Sequence, residues 1–370
     1  MNFNSPSFFH KERFMTVLDA GSHKICALCA RKGPDRGIEI LAHSIQGSHG
    51  IDRGNITDLK SFAESVSETV AVLEQKTRAE ITSAFVSVSG NQVAGCEAQG
   101  VTPLGEKPRQ ITSQDIKKTI ELASAIYIPV DRAVIHTLAI DYAVDGQSGV
   151  TNPLGLYGRR LESRTHFITA KKSFTYNMLN GINAGGLEVE SFIASAYASG
   201  LAVLSEDDRQ KGGIVIDIGD SLCECSVFHK GAMKRLRVFE LIGRDEAPDE
   251  QAYYHGIEDV LRAIQGHIDE FIHSEGILSQ AVITGGGALD ERIFDAAQAM
   301  LSVPTRIGLA SGFSVDSELL ANPSLATAFG MLNLVLVPGL SGILAGAPPA
   351  KETVVQKAIT WAKTLYEEYF

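Results

Sequence analysis

Two short stretches in different halves of this chain repeat one design. Val17-Leu18-Asp19-Ala20-Gly21-Ser22 and Ile216-Asp217-Ile218-Gly219-Asp220-Ser221 each place Asp-x-Gly at the end of a short apolar run. A second apolar run comes after each, at 25–29 and at 223–228. Two apolar runs joined by a glycine-bearing turn read as a β-hairpin. Two such hairpins half a chain apart predict a duplicated α/β domain, a narrow choice of fold for 370 residues. The composition suits that reading, because 44% hydrophobic and 21% charged residues describe a globular chain of two or three domains rather than a disordered one.

Helical periodicity over residues 58–75 sets Leu59, Phe62, Ala63, Val66, Val70 and Leu73 on one face, and a strand is expected at 84–88. A second helix is expected over 256–274. It leads into a strand at 281–283 that ends in Thr284-Gly285-Gly286-Gly287-Ala288. A glycine run at the carboxyl end of a strand is where α/β sheets hold phosphates or nucleosides. Between the halves, residues 91–170 differ in texture, with a helix near 113–125, an extended run at 133–144 and a turn-rich stretch at 145–162. The plainest reading of that stretch is a long surface loop. Residues 319–350 carry no charge, which raises the question of a membrane span. Gly330, Pro338, Gly339, Gly342 and Gly346 interrupt the run and Asn322-Pro323-Ser324 resembles a helix start. A buried helix over 325–337 followed by a linker is therefore expected.

Several kinds of chemistry are argued against. A net charge of −11 disfavours a bulk electrostatic grip on nucleic acid. Five cysteines are an odd number in a long chain and imply reduced thiols in the cytosol rather than a disulfide framework. Cys26 and Cys29 fall in an expected strand, where i and i+3 face opposite ways, so they and Cys223 and Cys225 read as core residues. The ten histidines are scattered, and no catalytic residue or metal site is expected. The first residues, 1–14, hold no continuous apolar stretch of a secretory signal.

Taken together, these motifs resemble the actin/Hsp70/sugar-kinase superfamily and, within it, the FtsA family of bacterial division proteins. Asp19 to Ala27 resembles the first phosphate loop, 217–224 falls at the second, and Gly285-Gly286-Gly287 matches the adenosine loop. The family-specific stretch runs from Asp145-Gly146-Gln147 through Asn152-Pro153-x-Gly155 and Gly158-x-Arg160-Leu161-Glu162 to His166. The resemblance implies an α/β, actin-like (ribonuclease H-like) fold of duplicated domains with the FtsA-type inserted subdomain. Its divisions would be 14–90 with 171–210 as the first core, 91–170 as the insert, 211–337 as the second core and 338–352 as a linker. It also implies an ATP cleft, with Mg²⁺, formed by Asp19, Gly21, Ser22, Lys24, Asp217, Gly219, Gly285, Gly286 and Gly287.

The chain departs from the family in two places. The second phosphate loop of the family reads Asp-x-Gly-Gly-Gly-Thr-Thr-Asp, whereas here Asp220 stands in a glycine position. Two unit charges about 5 Å apart at an effective dielectric near 20 repel by roughly 3 kcal/mol, so a phosphate is less welcome there. The family's outer subdomain of the second half is also missing near 243–256, and with it the usual docking surface for the tubulin-like FtsZ. Nucleotide turnover and ordinary FtsZ docking are not expected.

Residues 353–370 form an amphipathic pattern, with Val354, Val355, Ile359, Trp361, Leu365, Tyr366, Tyr369 and Phe370 on one side. Trp and Tyr favour the bilayer interface, and the segment is similar to the membrane-targeting helix that ends FtsA proteins. A helix docked on its own core or on a second copy is the other reading. The resemblance thus implies an adaptor on the cytoplasmic face of the inner membrane that holds division proteins and self-associates into oligomers or polymers. An actin-like platform of a pilus or secretion system is the alternative, ahead of an ATPase or small-molecule kinase of the same superfold.

Overall fold

The computed structural model describes residues 14–33 and 37–337. The amphipathic segment 353–370 and the linker before it lie outside the described residues.

The first repeat forms β1 (Met15–Ala20) and β2 (Lys24–Lys32), followed by β3 (Ile38–Gly47). A small hairpin, β4 (Ile51–Asp52) with β5 (Asn55–Ile56), then leads to α1 (Leu59–Thr77) and β6 (Ser83–Val88). Helix α1 starts where Asp58 accepts the amide protons of Lys60 and Ser61, and it ends at Arg78 in the left-handed region. Phe62, Val66, Val70 and Leu73 are buried and face the sheet.

The segment after β6 makes its own layer. It holds β7 (Val93–Pro103), β8 (Arg109–Gln110), α2 (Ser113–Tyr127), β9 (Arg132–Val144), β10 (Gln147–Val150), β11 (Tyr157–Gly158) and β12 (Arg160–Lys171). Four of these strands form one sheet in the order β10-β9-β12-β7. The stretch read as a surface loop does lie mostly at the surface, but half of it is paired in β10, β11 and the start of β12. Asp145 and Gly146, both at positive φ, turn β9 into β10, and Asp145 Oδ1 accepts the amides of Arg159 and Arg160 at 2.8 Å each. Leu161 is fully buried. Turn chemistry hides such short strands from a reading based on periodicity.

The chain returns through α3 (Lys172–Ala184), β13 (Glu188–Ala194), α4 (Ser195–Val203) and α5 (Glu206–Lys211). The second repeat then gives β14 (Gly213–Ile218), β15 (Leu222–His229) and β16 (Ala232–Glu240). After it come α6 (Glu250–Ser274), β17 (Gln280–Thr284), a 3-10 turn over Gly286–Leu289, α7 (Glu291–Met300) and β18 (Thr305–Ile307). Last come β19 (Phe313–Ser314), α8 (Ser317–Leu320) and α9 (Ala326–Leu336). Helix α6 starts at Glu250 rather than near 256, because Asp249 caps it by accepting the Ala252 amide and Tyr253 already belongs to its buried face. Only residues 241–249 therefore join β16 to α6, too few for a further subdomain.

The two large sheets run β13-β6-β1-β2-β3-β19 and β16-β15-β14-β17-β18. In each, the hairpin is antiparallel and the flanking strand, β6 or β17, is parallel to the first hairpin strand. Helix α9 packs on β1, β2 and β6, while α4 packs on β14 and β15, and the two helices lie against each other between the sheets. Both are apolar nearly all round and are buried, as that pattern requires. Their approach depends on glycine: a Cβ on Gly330 would stand 1.7 Å from the Ala198 carbonyl oxygen. This corrects the extent of the second core. Residues 313–336 leave it, because β19 pairs with β3 and α9 fills the first core. Among the described residues no helix is long and apolar enough to cross a membrane.

Candidate functional site

The carboxyl ends of β1, β14 and β17 converge, and their side chains form an acidic floor. Asp19 closes β1 opposite Cys26, and Asp217 lies opposite Glu224 in the matching register of the second hairpin. Burial pushes the Asp19 carboxyl up from its ordinary value, while the Ser87 hydroxyl, donating to it at 2.7 Å, and Lys24 pull it down. Asp217 is pushed up to about 6, first by burial and then by the charge of Asp19, with the Ser199 and Thr327 hydroxyls opposing. Glu224 rises to about 8, again by burial first, and the Asp217 and Asp19 charges add to it against the Ser195 hydroxyl.

Ser195 Oγ lies in short contact with Glu224 Oε2 and 3.1 Å from the Val88 carbonyl oxygen. The Ser195 hydroxyl thus links the carboxyl end of β6 to the buried acid of β15.

The turns themselves are alike in backbone and unlike in chemistry. The Gly21 amide donates to the Lys24 carbonyl at 3.0 Å, and the Gly219 amide donates to the Leu222 carbonyl at 2.8 Å. Ser22 is partly buried in the first turn, whereas Asp220 is exposed in the second. Lys24 reaches across to the loop before α9 and donates to the carbonyl and hydroxyl oxygens of Ser324. Gly285, at φ +83°, presses on the second hairpin, since a Cβ there would stand 2.4 Å from Asp217 Oδ1. Gly287 packs as tightly on Ile218, and Gly286 faces open space. Past this turn a cavity of about 480 Å³ opens between α6 and α7, lined by Glu250, Tyr254, His255 and Arg292 among others.

All nine cleft residues named from the sequence therefore lie on the two hairpin turns, the strand ends beside them and the glycine turn. Sequence reasoning missed Ser87, Ser195, Thr327 and Ser324, the hydroxyl groups that orient the acids and the lysine. Single serines and threonines at strand and helix ends leave no spacing signal. The eight apolar tail residues, Val354 to Phe370, lie outside the described residues. Cys26, Cys29, Cys223 and Cys225 are buried in the strands.

No group of three or more His, Cys, Asp or Glu among the described residues is arranged to hold a metal ion unaided. Magnesium is commonly held by one or two carboxylates plus the phosphates it accompanies, and the Asp19–Asp217 pair fits that role. The second turn fits phosphate less well, because Asp220 adds a negative charge there.

Duplicated hairpin sheets flanking two crossing helices, with acids at the paired strand ends, define an actin-like protein carrying an inserted subdomain after β6. Residues 90–169 match the family model described as the SHS2 domain inserted in FtsA. The cell division protein FtsA of Pseudomonas aeruginosa is 25% identical, the match covering 86% of this chain and 88% of that protein. FtsA of Escherichia coli K12 is 24% identical over 95% of this chain and 96% of its own length. That match spans 411 positions, more than the 370 residues here, so the relative has segments without a counterpart in this chain. Among solved structures, a chain of the PilM-PilN type IV pilus biogenesis complex shares the fold, with a TM-score of 0.64, 13% identity, and coverage of 86% of this chain and 97% of that one. The chain is thus a divergent relative of the FtsA proteins.

Proposed function

We propose that this protein is a division adaptor of the FtsA kind, tethered to the cytoplasmic face of the inner membrane by residues 353–370. Its cleft holds ATP weakly and does not turn it over. The observation that carries this reading is the inserted sheet itself. It matches the FtsA insert over 90–169, and it packs through β7 and β9 on β16 of the second half. At that contact a Cβ on Gly95 of β7 would stand 3.2 Å from Leu236 Cβ, and Met233, Leu236 and His166 are buried, so the insert and the second half are tied together. A scaffold tied in this way presents the insert as a fixed surface for division partners and for copies of itself. Residues 14–90 with 171–210, 91–170 and most of 211–337 are its three bodies.

The nucleotide reading assigns the phosphates to Asp19, Gly21, Ser22, Lys24, Asp217 and Gly219, and the nucleoside to Gly285, Gly286 and Gly287. Asp220 weakens the phosphate end. Because the segment joining β16 to α6 is only 241–249, docking of FtsZ in the family's manner is weak. Co-sedimentation with liposomes of the full chain and of a version ending at Ala350 tests the tether. Loss of binding on truncation is expected, and equal binding by both would overturn it.

A further inference from the structure

Residues 241–249 are fastened at three places. At the start, the Leu241 amide donates to the Ser221 carbonyl at 2.9 Å, and Gly243 lies so close to Asp220 that a Cβ there would stand 3.2 Å from its carboxylate. In the middle, Arg244 pairs with Asp290 and donates to the Tyr254 hydroxyl at 2.9 Å, with its guanidinium 4.7 Å from the Tyr253 ring centre. Asp290 caps α7 directly after the glycine turn. On the far side, Glu246 Oε2 accepts from Arg53 Nη2 at 2.6 Å.

Arg53 belongs to the first half, at the tip of the β4–β5 hairpin, and that tip is held firmly. Arg53 is at φ +46°, and Asp52 binds its other terminal nitrogen at 2.7 Å. A Cβ on Gly54 would stand 2.2 Å from the Ser89 carbonyl oxygen, and one on Gly90 2.6 Å from that of Arg53. Asn91 Nδ2 donates to Glu240 Oε1 at 2.6 Å and adds a second bond between the halves at the end of β16. One short segment is therefore joined to the second phosphate turn, to the glycine turn and to the opposite half.

We propose that residues 241–249 are a strap that holds the two halves closed through the Arg53–Glu246 pair, so that the chain itself, without nucleotide, gates the cleft. The effect on nucleotide entry rests on the ATP reading above; the strap does not.

Hydrogen exchange of the full chain, without nucleotide or lipid, tests the strap. In Glu246→Gln, peptides covering 51–56 and 241–249 should exchange about twofold to fivefold faster, the range an exposed ion pair allows. Glu246→Arg, which sets two guanidinium groups face to face, should exchange faster still. Wild type at 1 M salt should approach the Gln variant, because an exposed pair is screened. Peptides from α4 and α9 should not change. Equal rates at 51–56 and 241–249 in all three proteins would overturn the strap. Stopped-flow mixing with a fluorescent ATP analogue and Mg²⁺ then tests the gate, with faster entry expected in both variants and equal entry rates counting against it. No binding in any of the three would overturn the ATP reading, and the exchange result alone would decide the strap.

Discussion

The two halves of this molecule are built on one strand order. Reading outward, β13-β6-β1-β2-β3 in the first sheet corresponds to β18-β17-β14-β15-β16 in the second. Asp19 and Asp217 fall at equivalent strand ends, and their cross-strand partners, Cys26 and Glu224, at equivalent positions. The halves differ in the connections that leave two of their strands. After β6 the first half carries the whole inserted sheet, whereas after β17 the second has only the glycine turn. After β3 there is a small hairpin, and after β16 the strap. The sheets fix where the acids stand, and the connections determine what surrounds them, as loops on a rigid scaffold commonly do.

The largest expected effect lies where the halves meet. Gly330 of α9 rests on Ala198 of α4 with no room for a methyl group. Gly330→Ala must separate the two helices that join the sheets, at a loss of about 3 kcal/mol. A urea titration should show the midpoint fall, and an unchanged midpoint would mean the helix pair is not the shared joint.

The next prediction breaks the symmetry of the hairpins. Glu224 holds its proton up to about 8 in the folded protein, while an unfolded glutamate releases it near 4.5. Between those values the native state binds more protons than the unfolded one, so this group's contribution to stability falls as pH rises and levels off above about 8. Glu224→Gln should flatten that fall and raise the melting temperature at pH 8 by about 2–5 °C. Cys26 at the matching position has its thiol pKa pushed up from 9.0 to about 12, chiefly by burial, so Cys26→Ala should leave the pH profile unchanged between about 4.5 and 8, where the thiol is neutral folded and unfolded alike.

How much of this was legible in the sequence depends on the same division between sheets and connections. The paired hairpins, α1, the glycine turn and the buried helix near the end could be read, because apolar periodicity and Asp-x-Gly turns mark them locally. The passage of 313–336 into the first core could not, since an all-apolar helix does not say which sheet it will cover. Arg53 and Glu246 were also invisible, because a contact between distant surface residues leaves no pattern in either segment. At the cleft, the glycines and aspartates were found and the hydroxyl groups orienting them were not.

A smaller effect tests the turns. Ser22 and Asp220 occupy the same place in their hairpins, three residues after the acid. Asp220→Ser makes the second turn chemically like the first and removes a negative charge from the place where the proposed ATP reading puts phosphates. Titration calorimetry with MgATP should show affinity rise about tenfold, well short of the roughly 150-fold that the ~3 kcal/mol repulsion of two charges at that range would give, because Asp220 is exposed and Mg²⁺ offsets part of the repulsion. If neither protein gives a heat of binding, the proposal that the cleft holds ATP fails.

The smallest effects compare the helices entered from the two unlike connections. Both begin on an aspartate cap: Asp58 accepts from Lys60 and Ser61 before α1, and Asp249 accepts from Ala252 at 2.8 Å before α6. Replacing either by alanine should cost about 1 kcal/mol, the usual value of such a cap. Their side effects should differ. Asp58 ends a connection that makes no bond to the other half through its own cap, so Asp58→Ala should speed hydrogen exchange only in the first turn of α1. Asp249 is the last residue of the strap, so Asp249→Ala should speed exchange in the first turn of α6 and across 241–249 together. If exchange rises in the helix turn alone, the strap is held by Arg244 and Glu246 without help from the helix it enters.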